Sequence, residues 1–398
     1  MSNDDDCQTW IKEVMSKIIE NLGLNEARYE LSTSNNFVMS SQYHVCVKFK
    51  NTIKDKNEEL SMILKRSFSC CLNEIFYNDL NLSSQFHNEI LFYRMYAQPN
   101  DNFPKCFYFD ERPPNDSVIA LENVNKRGYY PCSYKYYAPL EYTLAAMREL
   151  GRFHGKGYVM KEQQRDKFND IVKQIEEIRY FENATSGFRI NVDVNSTRAV
   201  EYLRDHGYDV VFCDKMEPVL SNLYDVLVKL VQPLEPLSTF CHGDFTLANM
   251  LFKMEDDGQH RVMLIDFASL RYGPPVIDIS TYLFLNCSNE VRKDKFHEIM
   301  RAYFDALKEY LLDAGIRDIE KYSYDALLHD FRRGAILGYS IASFYLAVLM
   351  GYRDFDMTTL STEENAMMQK NLGGDKVSKI LADMLLHLKD LGCLEDYL

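Results

Sequence analysis

The 398-residue chain has no run of lysine or arginine that approaches a basic stripe, and its formal net charge is -14. A polyphosphate backbone or an anionic lipid surface would be repelled by such a field, so nucleic acid and membrane headgroups are not expected partners. The ten cysteines lack zinc-ligand spacing. The nearest pair is the adjacent Cys70-Cys71, which suits neither a metal site nor a redox motif, so the cysteines read as reduced, mostly buried thiols. A basic-then-apolar leader is missing as well. The chain starts Met1-Ser2-Asn3-Asp4-Asp5-Asp6, and a cytoplasmic location is expected.

Long apolar runs are almost absent. The exception is residues 334–352, which carry no charge between Arg333 and Arg353 and contain Gly334-x-x-x-Gly338. That length reaches the lower bound for a membrane span. Tyr339, Ser340, Ser343, Tyr345 and Tyr352 make the stretch only moderately apolar, so it reads as a helix buried all round, and no membrane span is expected. Internal repeats and low-complexity tracts are also missing. What is present, 46% hydrophobic and 13% aromatic residues, is enough to bury a large core. The sequence says nothing of oligomeric state.

The first third alternates strands with turns. A helix is expected over 10–21, strands over 43–50 and 60–65, a helix from a cap at Ser83 or Ser84 to about 97, and strands near 106–110 and 117–121. From Pro139 the periods lengthen to helices, about 139–157, 165–182, 215–232, 291–313, 324–351 and 373–391, interrupted by short apolar runs over 238–266. The fold expected is α+β and two-lobed, like a protein kinase. Residues 1–124 form a small antiparallel-sheet lobe with one helix, and 125–398 a larger, mostly helical lobe.

The chemistry gathers in Cys241-His242-Gly243-Asp244-Phe245-Thr246-Leu247-Ala248-Asn249 and, after a predicted hairpin, Ile265-Asp266-Phe267-Ala268. Phosphoryl transfer needs one carboxylate at the incoming hydroxyl, and a second carboxylate and an amide oxygen to hold Mg²⁺ against the phosphates. Asp244, Asp266 and Asn249 supply that set, with the Asp-to-Asn spacing of the kinase loop H-R-D-x-x-x-x-N. His242 reads as a support for the backbone. A protein kinase is excluded: the loop has Gly243 where Arg would stand, no A-P-E follows, and no room remains for an activation loop before the helix at Asp278.

These segments resemble the catalytic HGDLWxNN and following IDFQ of the insect ecdysteroid-kinase-like proteins, relatives of choline kinases and aminoglycoside phosphotransferases. Thr246, Ala248 and Ala268 depart from the pattern. The resemblance runs from near Ser34 to the helix after Pro275. It implies an ATP-dependent small-molecule kinase, with Asp244 as base, Asn249 and Asp266 on Mg²⁺, and Asp278 bracing the loop through backbone N–H groups. Lys65, ending Met62-Ile63-Leu64, is expected to meet the α- and β-phosphates and to be held by Glu89 of Phe86-x-x-Glu89-x-x-Phe92-Tyr93. A phosphate loop is expected at Ser34, Asn35 and Asn36, just before the first long strand, and adenine contacts around Leu121, Glu122 and Asn123. The partner is a small-molecule hydroxyl acceptor, by resemblance an ecdysteroid or similar lipophilic alcohol. Choline-like alcohols, or nucleotide binding without turnover, stand as alternatives.

Overall fold

Val45 and Val47 stand two apart along one strand, as Met62 and Leu64 do along the next, and pleating turns all four to one buried face of a sheet. In the computed structural model, which describes residues 2–36, 40–51, 54–67, 81–113, 116–352 and 362–398, that sheet has five antiparallel strands. They are β1 (Asn25–Asn36), β2 (Ser40–Asn51), β3 (Lys56–Ser67), β4 (Cys106–Asp110) and β5 (Val118–Glu122), in the order β1-β2-β3-β5-β4. Helix α1 (Ser2–Asn21) lays Trp10, Ile11, Val14, Met15 and Ile18 on the apolar face, the spacing of a helical stripe. The Arg66 guanidinium sits 4.4 Å over the Trp10 ring.

Because Met62 and Leu64 face α1, alternation points Lys65 to the other side of β3. Helix α2 (Leu82–Leu91) continues into a π turn, Phe92–Tyr96, and its Glu89 meets that lysine. The expected serine cap is not formed: Asn81 occupies the N-cap position in a left-handed conformation with no side-chain cap bond.

The chain falls into two units, Met1–Tyr129 and Tyr130–Leu398. The turn after β5 goes with the first unit because Arg127 donates to the Phe103 carbonyl and Glu122, and the Tyr129 hydroxyl to Asn102.

In the second unit α3 (Leu140–Gln163) packs on α5 (Phe296–Asp313), a helix introduced here with α4 (Val276–Asn286) and α6 (Ile336–Leu349). At Gly151 of α3 a side chain would collide with the Tyr303 carbonyl of α5. Two small sheets, β6-β8-β9 and β7-β10, carry the loops of interest: β6 (Tyr130–Pro131), β7 (Thr239–Cys241), β8 (Met250–Met254), β9 (His260–Leu264) and β10 (Arg271–Gly273).

The uncharged stretch holds the whole of α6, buried along nearly its whole length, while its Gly334 ends the preceding helix, Tyr324–Gly334. Its Gly334-x-x-x-Gly338 pattern serves a close helix crossing. A side chain at Gly338 would collide with the Ser280 carbonyl of α4, and one at Gly334 with Val276. Among the described residues no helix is long and apolar enough to cross a membrane.

Several expected helices are divided. The 165–182 helix stops at Gln174, because the Glu177 carboxylate accepts from the N–H groups of Ile178, Arg179 and Tyr180 and closes a turn of its own. The 324–351 helix breaks at Ala335, and 215–232 is two helices, Val210–Leu220 and Leu223–Leu230. Helices Gly187–Ser196, Arg198–Asp205 and Thr362–Asn371 were not anticipated. The described cysteines are free thiols; Cys70-Cys71 lies outside the described residues.

Candidate active site

Strand β7 ends at Cys241, and the chain then turns through Gly243 at φ +78°, where any side chain would collide with the Ser269 carbonyl. One buried carboxylate holds the turn. Asp278, in the first turn of α4, accepts the N–H of His242 at 2.7 Å and that of Gly243 at 2.8 Å. It also receives His154 Nε2 from α3 at 3.0 Å. Since a carboxylate only accepts, the His154 proton lies on Nε2, and Nδ1 accepts from the Tyr303 hydroxyl at 2.8 Å. Burial pushes the Tyr303 hydroxyl well above its ordinary pKa, which keeps it a donor. The bracing of the loop thus extends into α3 and α5.

His242 uses both ring nitrogens structurally. Nε2 donates to the Ile265 carbonyl at 2.9 Å, and Nδ1 accepts the Asp244 N–H at 3.3 Å. The Asn249 amide donates to both the Asp244 carbonyl and its Oδ2, each at 2.9 Å, while Ile265 N–H bonds the Asn249 carbonyl at 3.1 Å. Asp244, Asn249 and the residue before Asp266 are therefore one bonded unit. Asp266 itself adopts φ 64° and ψ 72°, a left-handed conformation that costs a non-glycine residue on the order of 1 kcal/mol.

Whether Mg²⁺ fits is decided by the donors. The Asn249 amide nitrogen is committed to Asp244, and among the described residues its carbonyl oxygen Oδ1 makes no hydrogen bond. A half-buried amide oxygen followed, across the β8–β9 hairpin, by a carboxylate is the oxygen chemistry a hard divalent cation takes.

Asp244 also lies in the wall of a small recess within the second unit. Phe188, Ile277, Leu337, Ile341 and Tyr345 supply apolar wall, and Arg179 is its cation. Arg179 donates to the Gly243 carbonyl at 3.1 Å and stands 4.0 Å from Asp244. Burial lowers the Arg179 pKa, but Asp244, Tyr345, Tyr180 and Glu177 together outweigh it, and the net shift is upward.

In the first unit Lys65 Nζ donates to Glu89 at 2.6 Å, with 9% and 1% of the side chains exposed. Ser34, Asn35 and Asn36 do not form a loop. Their backbones extend β1, opposite Tyr43, Gln42 and Ser41, because the β1–β2 ladder continues to its last pair at Asn36 and Ser41. Phe37 lies outside the described residues. Leu121 and Glu122 end β5, but the Glu122 N–H is taken by the Lys105 carbonyl and the Asn123 N–H by the Ser61 carbonyl. The donors an adenine would use at those two residues are already bonded within the unit.

Three residues of the site gave no sequence signal. His154 and Tyr303 lie far from the loop along the chain, and Arg179 fell in a stretch read as helix. The turn closed by the Glu177 carboxylate, which accepts the N–H groups of Ile178, Arg179 and Tyr180, puts it in the recess.

A comparison with curated protein sequences gives no match. Among solved structures the chain is similar to an amicoumacin kinase in complex with AMP-PNP, Ca²⁺ and Ami, at 13% identity and a TM-score of 0.45, covering 94% of this chain and 93% of that one. It is similar to an ethanolamine kinase of Plasmodium vivax at 11% identity and a TM-score of 0.41, covering 91% and 83%. A GDP complex of an aminoglycoside 2'-phosphotransferase matches at 10% identity and a TM-score of 0.41, covering 92% and 98%. The family model of the ecdysteroid kinase-like family matches residues 34–316. That match spans well over half of the sequence: the chain belongs to the ecdysteroid kinase-like family and is a small-molecule kinase, a phosphotransferase acting on an alcohol group.

Proposed function

We propose that the chain transfers the γ-phosphoryl group of ATP to a hydroxyl of a neutral, lipophilic alcohol, of the polycyclic kind that the family description suggests. One observation carries the choice of acceptor. Asp244 is the single carboxylate among the residues lining a mostly apolar recess, and that recess contains a cation. A polyamine acceptor needs carboxylates beyond the one committed to the reacting hydroxyl, and a quaternary ammonium among Tyr180, Phe188 and Tyr345 would still meet the Arg179 guanidinium. A neutral polycycle needs only apolar wall, contributing about 25 cal/mol per Å² buried.

Asp244 accepts a hydrogen bond from the acceptor hydroxyl and orients it, held in place by Asn249 and by the His242 ring. As the new P–O bond forms and the bond to ADP breaks, the hydroxyl proton passes to Asp244 and from there to solvent. Asn249 through Oδ1 and Asp266 through its carboxylate would hold Mg²⁺, which supplies neutralisation of charge on the phosphate oxygens. In the first unit Lys65, fixed by Glu89, is the cation for the phosphates.

The test is a competition. Ecdysteroid, choline, ethanolamine and an aminoglycoside at equal concentration are incubated with the protein and Mg-ATP, and products are read by mass spectrometry. Phosphorylated ecdysteroid is the expected main product. Phosphocholine as the dominant product would overturn the choice of acceptor.

A further inference from the structure

We propose that Arg179 is a specificity-determining residue: beside Asp244 in the recess, its guanidinium rejects acceptors with positive charge next to the reacting hydroxyl and selects those with an oxygen there. The inference rests on the reading of Asp244 as the carboxylate that binds the acceptor hydroxyl.

The guanidinium is placed by several independent ties. Glu177 accepts the Arg179 N–H at 2.9 Å, the Tyr224 hydroxyl donates to the Arg179 carbonyl at 2.9 Å, and Nη1 reaches the Gly243 carbonyl at 3.1 Å. The nearest acid on its own segment does not neutralise it. The second oxygen of Glu177 is bound by Arg271 at 3.0 Å, and Arg271 lies over the Tyr180 ring.

Arg179 Nη2 lies 4.0 Å from Asp244 Oδ1 and donates no hydrogen bond among the described residues. The wall of the recess thus offers an acceptor oxygen and, one small step away, an unused charged donor. An alcohol whose neighbouring carbon bears a hydroxyl or keto oxygen satisfies both. An amino alcohol, protonated at neutral pH, brings its ammonium against the guanidinium with apolar side chains around it. Like-charge contact of that kind discriminates by at least about tenfold.

The experiment compares a sterol carrying a vicinal diol with the matching amino alcohol, in the wild type, Arg179→Gln and Arg179→Lys. Both kcat/KM and, without ATP turnover, the equilibrium Kd are measured for each compound. The wild type is expected to favour the diol at least about tenfold in both readouts. Arg179→Gln brings the ratio towards one, and Arg179→Lys, which keeps the charge, retains most of it. A variant that merely loosens the loop would weaken both compounds together and leave the ratio unchanged, and that result would overturn the proposal. Equal binding of the two compounds by the wild type would overturn it too. If the wild type phosphorylates neither compound yet binds the diol selectively, the proposed transfer reaction fails and the specificity assignment stands.

Discussion

Asp244 and Asp266 are three bonds apart in the network but differ in what a substitution removes. Asp244→Asn keeps the shape and an oxygen for the Asn249 amide while removing proton acceptance. Turnover is expected to fall by about 10²–10⁴ with nucleotide binding retained; near wild-type turnover in a coupled ADP-release assay would reassign the residue to structure. At Asp266 two variants separate strain from ligation. Asp266→Gly relieves a left-handed residue, worth on the order of 1 kcal/mol, against a similar gain in unfolded-chain freedom. The thermal midpoint without nucleotide should barely move, whereas Asp266→Ala keeps the strain. Both should lose the Mg²⁺-dependent stabilisation by ATP that the wild type is expected to show and that EDTA should remove from it. A full Mg-ATP shift in either variant would place the ion on another carboxylate. The sequence made these residues legible because their order and spacing match those a phosphoryl-transfer site needs. Lys65 and Glu89 were legible for a further reason: strand alternation and a three-residue helical frame each turn a single side chain inward. Arg179 was not, since nothing local marks an arginine after a helix end as a site residue.

Helix boundaries were less legible than helices. The 324–351 period runs on across the break at Ala335, where no proline stands, although Arg332-Arg333-Gly334 just before it is a stop signal that the apolar run from Ala335 masks. The end at Gln174 depends on Glu177 capturing three N–H groups, which a helical pattern conceals. The glycine seam of α6 was visible but ambiguous, since a close crossing looks alike in lipid and in a protein core. In this chain the crossing partner is α4, whose first turn carries Asp278. Gly338→Ala is therefore expected to destabilise the protein by about 1–3 kcal/mol and, in the folded fraction, to lower kcat more than it weakens ATP binding. Denaturant melts and single-turnover kinetics at low temperature check both; an unaltered kcat would show that α4 absorbs the shift without moving Asp278.

At the scale of the whole molecule, the net charge of -14 was readable at once, but the placement of charge was not. Arg292, 1% exposed, has no acid on its guanidinium among the described residues and donates to the Leu283 carbonyl, Asn289 Oδ1 and His387 Nδ1. Burial lowers its pKa to about 10. Burial, and then the charge of Arg292, hold His387 down to about 4. The unfolded histidine takes its proton near pH 6.5, so between about 6.5 and 4 the unfolded chain binds more protons than the folded one. Stability is thus complete above that window and lost as pH falls through it, by on the order of 3 kcal/mol. Thermal midpoints of the wild type and His387→Gln from pH 7.5 to 4.5 should converge at the acidic end; parallel curves would show that other groups govern the decline. The shared seam of α4 and α6 carries a different consequence, for genetics. Alleles at either glycine would be recovered in a screen as temperature-dependent catalytic lesions; those at Gly334 would be suppressible by a smaller residue at Val276, whereas those at Gly338, which meet the Ser280 backbone, would not.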